Sequence, residues 1–305
     1  MELFNPNSKI DFMGARKWAA LFSGLIFVLS IGALIIYGLQ WGLDFTGGTQ
    51  IEVSYSKPID LTEIRNSLYN VGFKEAQVVS YGTSKDVLIS IAPRANHDQA
   101  LLVDQVMKAL PGAIKQRVDF VGPQVGQELA TKGILAIVVS LLATMIYIAL
   151  RFEYRLAFSS SVALVHDPVL ILGIFAFFGI EFDLKALAGL LAVIGYSLND
   201  TIVVFDRVRE NFIKIRRASS IEIMNISINQ TLSRTIMTSV LTLFVVVALF
   251  VYGGETIHGF SLALIIGIVV GTYSSIYVAG ALAVVMGLDR TDFLPTQRKE
   301  MDERP

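Results

Sequence analysis

Six long apolar runs divide this 305-residue chain. Each holds about 20 residues or more, the length that an α-helix needs to cross roughly 30 Å of hydrocarbon. Trp18 and Trp41 flank the first run, and aromatic side chains of this kind anchor helices at the membrane interface. The pattern therefore predicts six transmembrane helices, over residues 18–39, 131–150, 156–179, 184–206, 234–252 and 260–287.

Residues 42–130 have a different pattern, because charges return and apolar residues alternate with polar ones. Alternation over 49–55 predicts a strand, and Asp60 followed by Glu63 predicts the start of a helix. Further strands are predicted at 77–81, 87–92 and 115–121, a second helix at 97–110, and a turn at 82–84. The order β-α-β-β-α-β is the ferredoxin-like split pattern, so we expect a small extramembrane α+β domain.

The positions of the basic residues predict the orientation. Lys and Arg precede the first run, follow the second, fourth and sixth runs, and are scarce in the alternate short loops. The positive-inside rule then places both termini, 1–17 and 288–305, in the cytoplasm and the 42–130 domain on the periplasmic side. The connector 207–233 has apolar residues at helical spacing, which predicts an amphipathic helix lying on the cytoplasmic face.

Composition restricts the chemistry. The chain is 53% hydrophobic and 17% charged, which is typical of an integral membrane protein in a lipid bilayer. It has no cysteine, which excludes disulfides and thiolate ligands, and its net charge of −1 indicates no nucleic-acid partner. No nucleotide-binding, dinucleotide-binding or zinc-hydrolase motif occurs, so we predict no metal, no cofactor and no enzymatic activity. A membrane ion gradient is then the expected energy source.

Asp200, inside the fourth run, is the most informative polar residue. A carboxylate in hydrocarbon is costly, faces the bundle interior, and marks a functional-site hypothesis by default. It either pairs with a cation or takes up a proton, and the second behaviour is what a proton relay requires. Ser197 and Thr201 share its helical face and are expected to hydrogen-bond the acid or ordered water, whereas Asn199 is turned away. The alternative is a polar residue that simply bonds a neighbouring helix.

Three charged residues near the cytoplasmic ends of the runs are further candidates. Arg234 begins the fifth run, where it is either a counter-ion for Asp200 or an interfacial anchor. Asp206 and Arg207 end the fourth run. Arg207 is about 10 Å from Asp200 along the helix, so surface anchoring is the preferred interpretation for both.

His166 and Asp167 form an ionisable pair in the middle of the third run, directly before Pro168. Proline removes a backbone donor and bends a helix. We expect a hydrated spot here, with either residue on a proton path. The alternative is that the pair satisfies polar groups that the bend exposes.

Small residues recur at every fourth position of the sixth run. Such a ladder lets another helix approach closely, so it predicts helix packing. Its members are Gly267, Gly271, Ser275, Ala279 and Ala283.

Two long motifs resemble a known family. They are residues 42–49 (GLDFTGGT), which include Gly42, Asp44, Gly47 and Gly48, and residues 195–211 (GYSLNDTIVVFDRVREN). Together with His166-Asp167 and residues 230–235 (QTLSRT), they closely resemble the SecF family, the membrane subunits of the bacterial Sec protein translocase. The resemblance extends from the first run to Leu288.

The resemblance implies a fold and a function. SecF proteins pair with SecD, a homologous six-span subunit, in a fold similar to resistance-nodulation-division (RND) exporters of the inner membrane. The pair joins the SecYEG channel and YajC, and uses proton flow to pull the unfolded preprotein outward after the ATPase SecA has pushed it across. The residues matching Asp200 and Arg234 belong to the proton path at the SecD–SecF interface, which favours Arg234 as a counter-ion.

Two other functions stay open at this point. One is a self-contained, proton-coupled small-molecule exporter of the same fold, and the other is a passive scaffold of a translocon. Exporters of that type carry two homologous halves in one chain. One six-span set with one small domain therefore favours a half-unit that needs a partner.

Overall fold

The computed structural model describes residues 10–293 except 82 and 94–98. Residues 1–9 and 294–305 of the two predicted terminal segments lie outside the described residues, as do the first residue of the predicted turn 82–84 and the start of the predicted helix 97–110. Within the described part, six helices are long and apolar enough to cross a membrane.

The chain begins with a membrane-length helix and a short connecting segment. Helix α1 (Arg16–Ile36) is followed by strand β1 (Gln40–Trp41) and the single-turn helix α2 (Leu43–Thr46). A small domain follows, in the order β2 (Gly48–Ser54), α3 (Leu61–Asn70), β3 (Gln77–Tyr81), β4 (Thr83–Ile91), α4 (Gln99–Ala109) and β5 (Ile114–Val121).

The small domain is a four-stranded antiparallel sheet with the strand order β3-β4-β2-β5. Alternate residues of β2, Ile51 and Val53, are buried in one core with Ile64 of α3 and Val106 of α4. Asp60 caps α3 as predicted, because its carboxylate accepts a hydrogen bond from the backbone N–H of Thr62 at 2.8 Å.

One boundary in this sheet differs from the prediction. Strand β4 already begins at Thr83, so Thr83 and Ser84 belong to the strand and not to a turn. Thr83 pairs with Tyr81 across an irregular register, and backbone pairing keeps exposed polar residues extended without any burial.

The other five membrane-length helices follow the small domain. They are α5 (Pro123–Arg151), α6 (Tyr154–Phe178), α7 (Leu184–Lys214), α8 (Ser220–Tyr252) and a sixth in which α9 (His258–Ser274) continues through a π-helical segment (Ser275–Ala279) into α10 (Gly280–Val285). Strand β6 (Glu181–Phe182) lies between α6 and α7, and short 3₁₀ segments occur at Glu255–Ile257 and Arg290–Phe293.

Helix α7 lies at the centre of the bundle, against α6, α8 and α9. Small residues bring α9 close to it: a Cβ atom on Gly267 would lie 2.0 Å from a Val193 methyl carbon, and one on Gly271 would lie 3.0 Å from Ser197 Cβ. No larger side chain fits at Gly267 without moving one of the two helices. The small-residue face of the sixth helix is therefore turned towards α7.

The connector 207–233 does not form a separate helix in the structure. Residues 207–214 end α7, and α8 already begins at Ser220, where Ser219 and Glu222 form a capping box. The apolar face is present, since Met224 and Ile228 are buried, but they pack in one core with Met13 and Phe212. The apolar face of this segment therefore packs against the helix bundle.

The glycine-rich motif fastens the small domain to the helix bundle. Strand β1 pairs with β6 in parallel, and the Gly42 N–H donates to the Phe182 carbonyl at 2.9 Å. Asp44 accepts a hydrogen bond from the Leu184 N–H at 3.1 Å, at the start of α7. Gly47 has a φ of +70°, and a Cβ atom there would lie 3.0 Å from Pro123 at the start of α5.

Gly48 and Glu181 complete this junction. Gly48 has a φ of +122°, and a Cβ atom on it would lie 2.3 Å from the Ile91 carbonyl oxygen, so the chain requires glycine at the start of β2. Glu181 is partly buried and accepts from the Leu43 N–H at 3.3 Å. Burial raises the pKa of the Glu181 carboxyl, and the nearby carboxyls of Asp183 and Asp44 add to this effect.

Candidate functional site

Asp200 lies near the middle of α7 and is only 2% exposed. Among the described residues, its carboxylate accepts one long hydrogen bond, from the Ser239 hydroxyl of α8 at 3.4 Å. No Lys, Arg or His among the described residues lies within 4 Å of it as an ion-pair partner. Asp200 is therefore a buried carboxyl group whose hydrogen-bonding capacity is mostly unused.

Ser239 connects Asp200 to two further hydroxyl groups. The Tyr196 hydroxyl donates to Ser239 Oγ at 3.2 Å, and Ser239 Oγ lies 2.8 Å from Thr272 Oγ1 of α9. Thr272 itself donates to the Ile268 carbonyl at 2.8 Å. The single Ser239 proton is therefore directed either to Thr272 or to Asp200, but not to both.

Asp167 is a second buried carboxyl group, and it has many partners. It is 1% exposed, and one of its oxygens accepts from the Ser197 hydroxyl at 2.5 Å and from the Ser274 hydroxyl at 2.8 Å. The other oxygen lies 2.9 Å from His166 Nδ1. These bonds connect α6 to α7 and α9 at one level of the bundle.

His166 extends this network to α1. Its Nε2 atom lies 2.7 Å from the Ser23 hydroxyl, and Phe27 stacks on its ring at 5.7 Å. An Nδ1–H that donates to Asp167 leaves Nε2 free to accept from Ser23, so one tautomer satisfies both contacts. The pair thus bonds side chains of neighbouring helices and does not depend on carbonyl groups at Pro168.

The predicted hydroxyl partners of Asp200 are not its partners in the structure. Ser197 donates to Asp167, and Thr201 donates to the Ser197 carbonyl at 3.1 Å. A hydroxyl inside a helix readily bonds the carbonyl one turn before it, and Ser197 lies at the level of Asp167 on α6. Asn199 is exposed, on a different face of α7 from Asp200.

Arg234 lies near the middle of α8, and Asp206 and Arg207 lie in the last third of α7. Arg234 is exposed and forms no ion pair or side-chain hydrogen bond in the described part of the chain. Asp206 pairs with Arg151 at 2.9 Å, and Arg207 pairs with Glu210 at 2.8 Å. Both pairs are partly exposed and lie away from the buried carboxyl groups.

The sequence pattern did not predict a role for several hydroxyl groups of α8 and α9 and for one of α1. They are Ser239, Thr272, Ser274 and Ser23, with Thr235, whose buried Oγ1 has no hydrogen-bond partner among the described residues. The sequence shows that these hydroxyl residues lie within apolar runs. Their spacing alone does not show which of them face a carboxylate on another helix. Within the described residues, no three His, Cys, Asp or Glu side chains are placed to hold a metal ion.

Two family models match this chain. The model described as the SecD/SecF GG motif matches residues 32–59, and that of the C-terminal part of the protein export membrane proteins SecD/SecF matches residues 103–289. The first covers the glycine-rich motif at Gly42–Gly48, and the second covers the helices that carry Asp167 and Asp200.

Curated relatives cover the whole chain. It is 47% identical to the protein translocase subunit SecF of Vibrio alginolyticus, over 100% of this chain and 99% of that protein. It is 43% identical to the SecF subunits of Pseudomonas aeruginosa and Escherichia coli O157:H7, over 97% and 100% of this chain and 98% and 97% of those proteins.

Solved structures share the fold. The chain matches SecDF of Thermus thermophilus, described as a translocon-associated membrane protein, with a TM-score of 0.86 and 34% identity over 93% of this chain. It matches a super-membrane-facing form of SecDF with a TM-score of 0.70 and 35% identity over 94% of this chain. In both cases it spans 40% of the solved chain. The chain is therefore a multi-pass membrane protein that belongs to the SecD/SecF family of protein export membrane proteins.

Proposed function

We propose that this chain is the SecF-type half of a proton-driven protein export device in the bacterial inner membrane. The observation that carries the proposal is Asp200, a 2% exposed carboxyl group that has one hydrogen bond of 3.4 Å and no ion pair within the described part of the chain. An isolated carboxylate in low dielectric is costly, so it takes up a proton when it is dry and releases it when water or a cation arrives. That cycle is what coupling to a proton gradient requires.

The hydrogen bonds of Ser239 would change with the protonation state of Asp200. When Asp200 is ionised, the Ser239 hydroxyl donates to the carboxylate; when Asp200 is protonated, the acid can donate to Ser239, which then donates to Thr272. Because Tyr196 donates to Ser239 in either state, a proton on Asp200 changes the direction of hydrogen bonds between α7, α8 and α9.

Polar side chains continue from this site along α8 to Arg234, near the middle of that helix. Thr235 lies one helical turn, about 6 Å, before Ser239, and its buried hydroxyl has no partner in the described part of the chain. Arg234 precedes it and is exposed in the single chain. A partner subunit that covers this face would bring the Arg234 charge to the proton path, at the seam between the two halves.

Helix α7 is suited to transmit the change to the small domain. Asp200 lies at the middle of α7. The first turn of α7 is hydrogen-bonded to Asp44 of the glycine-rich motif, and β6, directly before α7, pairs with β1. A shift of α7 would therefore move the base of the domain. We assign that domain, with its ferredoxin-like order of elements, to the periplasmic side, with both termini in the cytoplasm.

The proposed partner is SecD, because SecDF chains of the same fold are more than twice as long as this chain. The pair would act with the SecYEG channel and YajC, after SecA, on an unfolded preprotein. Protons are the coupling ion, and no other cofactor is needed.

The test is Asp200→Asn in proteoliposomes that contain the translocase. We expect ATP-driven preprotein import to continue, while the additional import that an imposed proton gradient causes falls to the level measured without the gradient. Asp206→Asn is the matched control, because it makes the same change on the same helix in an exposed, ion-paired carboxylate. Full gradient dependence in Asp200→Asn would show that Asp200 is not the proton site and would favour a scaffold.

A further inference from the structure

A lateral groove of about 1000 Å³ runs between α1, α6 and the end of the sixth helix. Its walls are almost wholly apolar and include Phe158, Val162 and Val165 of α6 and Val285 of α10, all of them exposed in the single chain. Its volume is at the upper end of the range found for ligand sites, which is roughly 300–1000 Å³. The groove is large enough for an extended apolar ligand.

The depth of the groove corresponds to one leaflet of a bilayer. On α1 its lining runs from Arg16 to Phe27, which is about 16 Å along the helix axis. The hydrocarbon core of a bilayer is about 30 Å thick, so the groove crosses roughly half of it. A packed transmembrane helix needs a seam along the whole span, whereas an acyl chain needs one leaflet.

Two unpaired cations stand at the open end of the groove. Arg16 and Lys17 have no carboxylate within 4 Å among the described residues, whereas Arg151 and Arg155 at the same end of the bundle are ion-paired with Asp206 and Asp292. Arg16 uses one N–H on the Met13 carbonyl at 2.8 Å and keeps further donors. Both side chains therefore carry a positive charge that no described carboxylate balances at short range.

The nearest acidic residue in sequence does not neutralise this site. Asp11 accepts hydrogen bonds from the Gly14 N–H and from the Asn225 side chain, both at 2.8 Å. Its contacts are with the loop before α1 and with α8. The charge at the head of the groove therefore remains available to a ligand.

The floor of the groove, near Phe27, is lined mainly by apolar side chains. Ser23 and His166 line it, but they bond each other at 2.7 Å, and Phe27 stacks on the imidazole. A ligand that enters this far meets mainly apolar side chains, which suits hydrocarbon and not a polar solute.

We infer that this groove is a binding site for an anionic phospholipid. The phosphate binds Arg16 and Lys17, and the acyl chains lie along α1 and α6 down to Phe27. Basic pockets between transmembrane helices on the cytoplasmic side bind anionic head groups by this combination of charge and apolar surface. The site is separate from Asp200 and goes beyond the proposed function, and anionic lipid there would hold α1 against α6, the helix that carries Asp167.

The experiment is native mass spectrometry of the full, delipidated chain with added phosphatidylglycerol or phosphatidylcholine. We expect phosphatidylglycerol to bind more tightly, and the double variant Arg16→Gln/Lys17→Gln to weaken it roughly 30-fold, as two cations near a membrane surface predict. Phosphatidylcholine binding should not change. The control is Arg216→Gln/Arg217→Gln, which removes the same charge from exposed positions outside the groove.

A second variant tests the apolar part of the site. A Cβ atom on Gly24, which lines the groove, meets no atom within 4 Å, so the side chain in Gly24→Leu starts in open space and occupies part of the groove. We expect it to displace phosphatidylglycerol while Gly32→Leu, an equally open position of α1 outside the groove, does not. Circular dichroism would verify that both variants are folded.

Three results obtained with this chain alone would overturn the inference. They are equal binding of the two lipids, no difference between the Arg16/Lys17 and Arg216/Arg217 double variants, and retention of phosphatidylglycerol by Gly24→Leu. Displacement of the bound lipid when a partner subunit is added would also overturn it, because the groove would then be a helix-docking surface.

Discussion

At the scale of single residues, the two buried carboxyl groups differ in how well they are hydrogen-bonded. Asp167 has two hydroxyl donors and an imidazole, whereas Asp200 has one hydroxyl at 3.4 Å. A satisfied buried network is rigid and costly to break, while an unsatisfied acid gains most from a change in its protonation. Asp167 is therefore suited to hold α6, α7 and α9 together, and Asp200 to exchange a proton.

Glu181 leads to a pH prediction outside the membrane helices. Because its pKa is raised above the ordinary value of 4.5, the folded state binds more protons than the unfolded state above that pH. The free energy of unfolding therefore falls as pH rises from about 4.5 through the raised pKa. We expect Glu181→Gln to remove this part of the pH dependence of the apparent melting temperature in detergent.

The control for this prediction is Glu75→Gln. Glu75 is an exposed carboxylate of the small domain, next to the same junction. Its replacement should leave the pH dependence of melting as in the wild type. If Glu181→Gln showed the same pH dependence of melting as the wild type, protonation of the buried Glu181 carboxyl would not affect stability.

At the scale of elements, α7 is the helix on which the functional features meet. Its first turn is capped by Asp183, whose carboxylate accepts from the Ala186 N–H at 2.7 Å, and is bonded to Asp44 from the glycine-rich motif. Its middle carries Asp200, and its face towards α9 includes Val193, which covers Gly267. Movement of this helix is thus shared with the small domain at one end and with α9 along its length.

Asp44→Ala tests the bond between the motif and α7. It removes an acceptor for a backbone N–H in the first turn, at a cost of about 0.5–2 kcal/mol. We expect a lower apparent melting temperature, together with loss of gradient-dependent preprotein import, because the domain base is released from α7. Asp44→Asn keeps an acceptor oxygen and should retain most of both.

Asp60→Ala is the matched control for Asp44→Ala. It removes the same kind of cap, but from α3 within the small domain. We expect Asp60→Ala to lower the melting temperature about as much as Asp44→Ala does, while gradient-dependent preprotein import stays normal. If Asp60→Ala reduced import as strongly as Asp44→Ala, the effect would come from general destabilisation and not from the connection to α7.

At the scale of the whole molecule, the helices form an inner and an outer group. Helices α6, α7 and the sixth helix bury about half of their apolar windows, whereas α1, α5 and α8 leave most of theirs exposed. Apolar surface of this extent faces lipid or another subunit. Arg234 lies on α8, in the outer group, which is where a second half of the device would bind.

Arg234→Met is the prediction at this scale. We expect gradient-dependent import to fall to the level measured without a gradient, while the chain still co-purifies with its six-span partner. Arg207→Met is the control, because Arg207 is exposed and paired with Glu210. Loss of co-purification in Arg234→Met would instead assign this residue to assembly.

Much of the architecture could be predicted from the sequence because its causes are local. The length of an apolar run sets its ability to cross a bilayer, alternation in β2 sets which residues are buried, and Asp60 marks a helix start by its own side chain. The cost of Asp200 in hydrocarbon is also a property of one residue in its segment.

The tertiary structure decided which groups meet. Ser197 bonds Asp167 and not Asp200, Ser239 and Thr272 belong to the Asp200 site, and the connector helix covers the bundle. Each outcome depends on the rotation and height of one helix against another, and helical periodicity specifies a face without specifying what the face contacts. The sequence thus determined that a membrane protein holds a costly acid in its fourth span, and helix packing determined its partners.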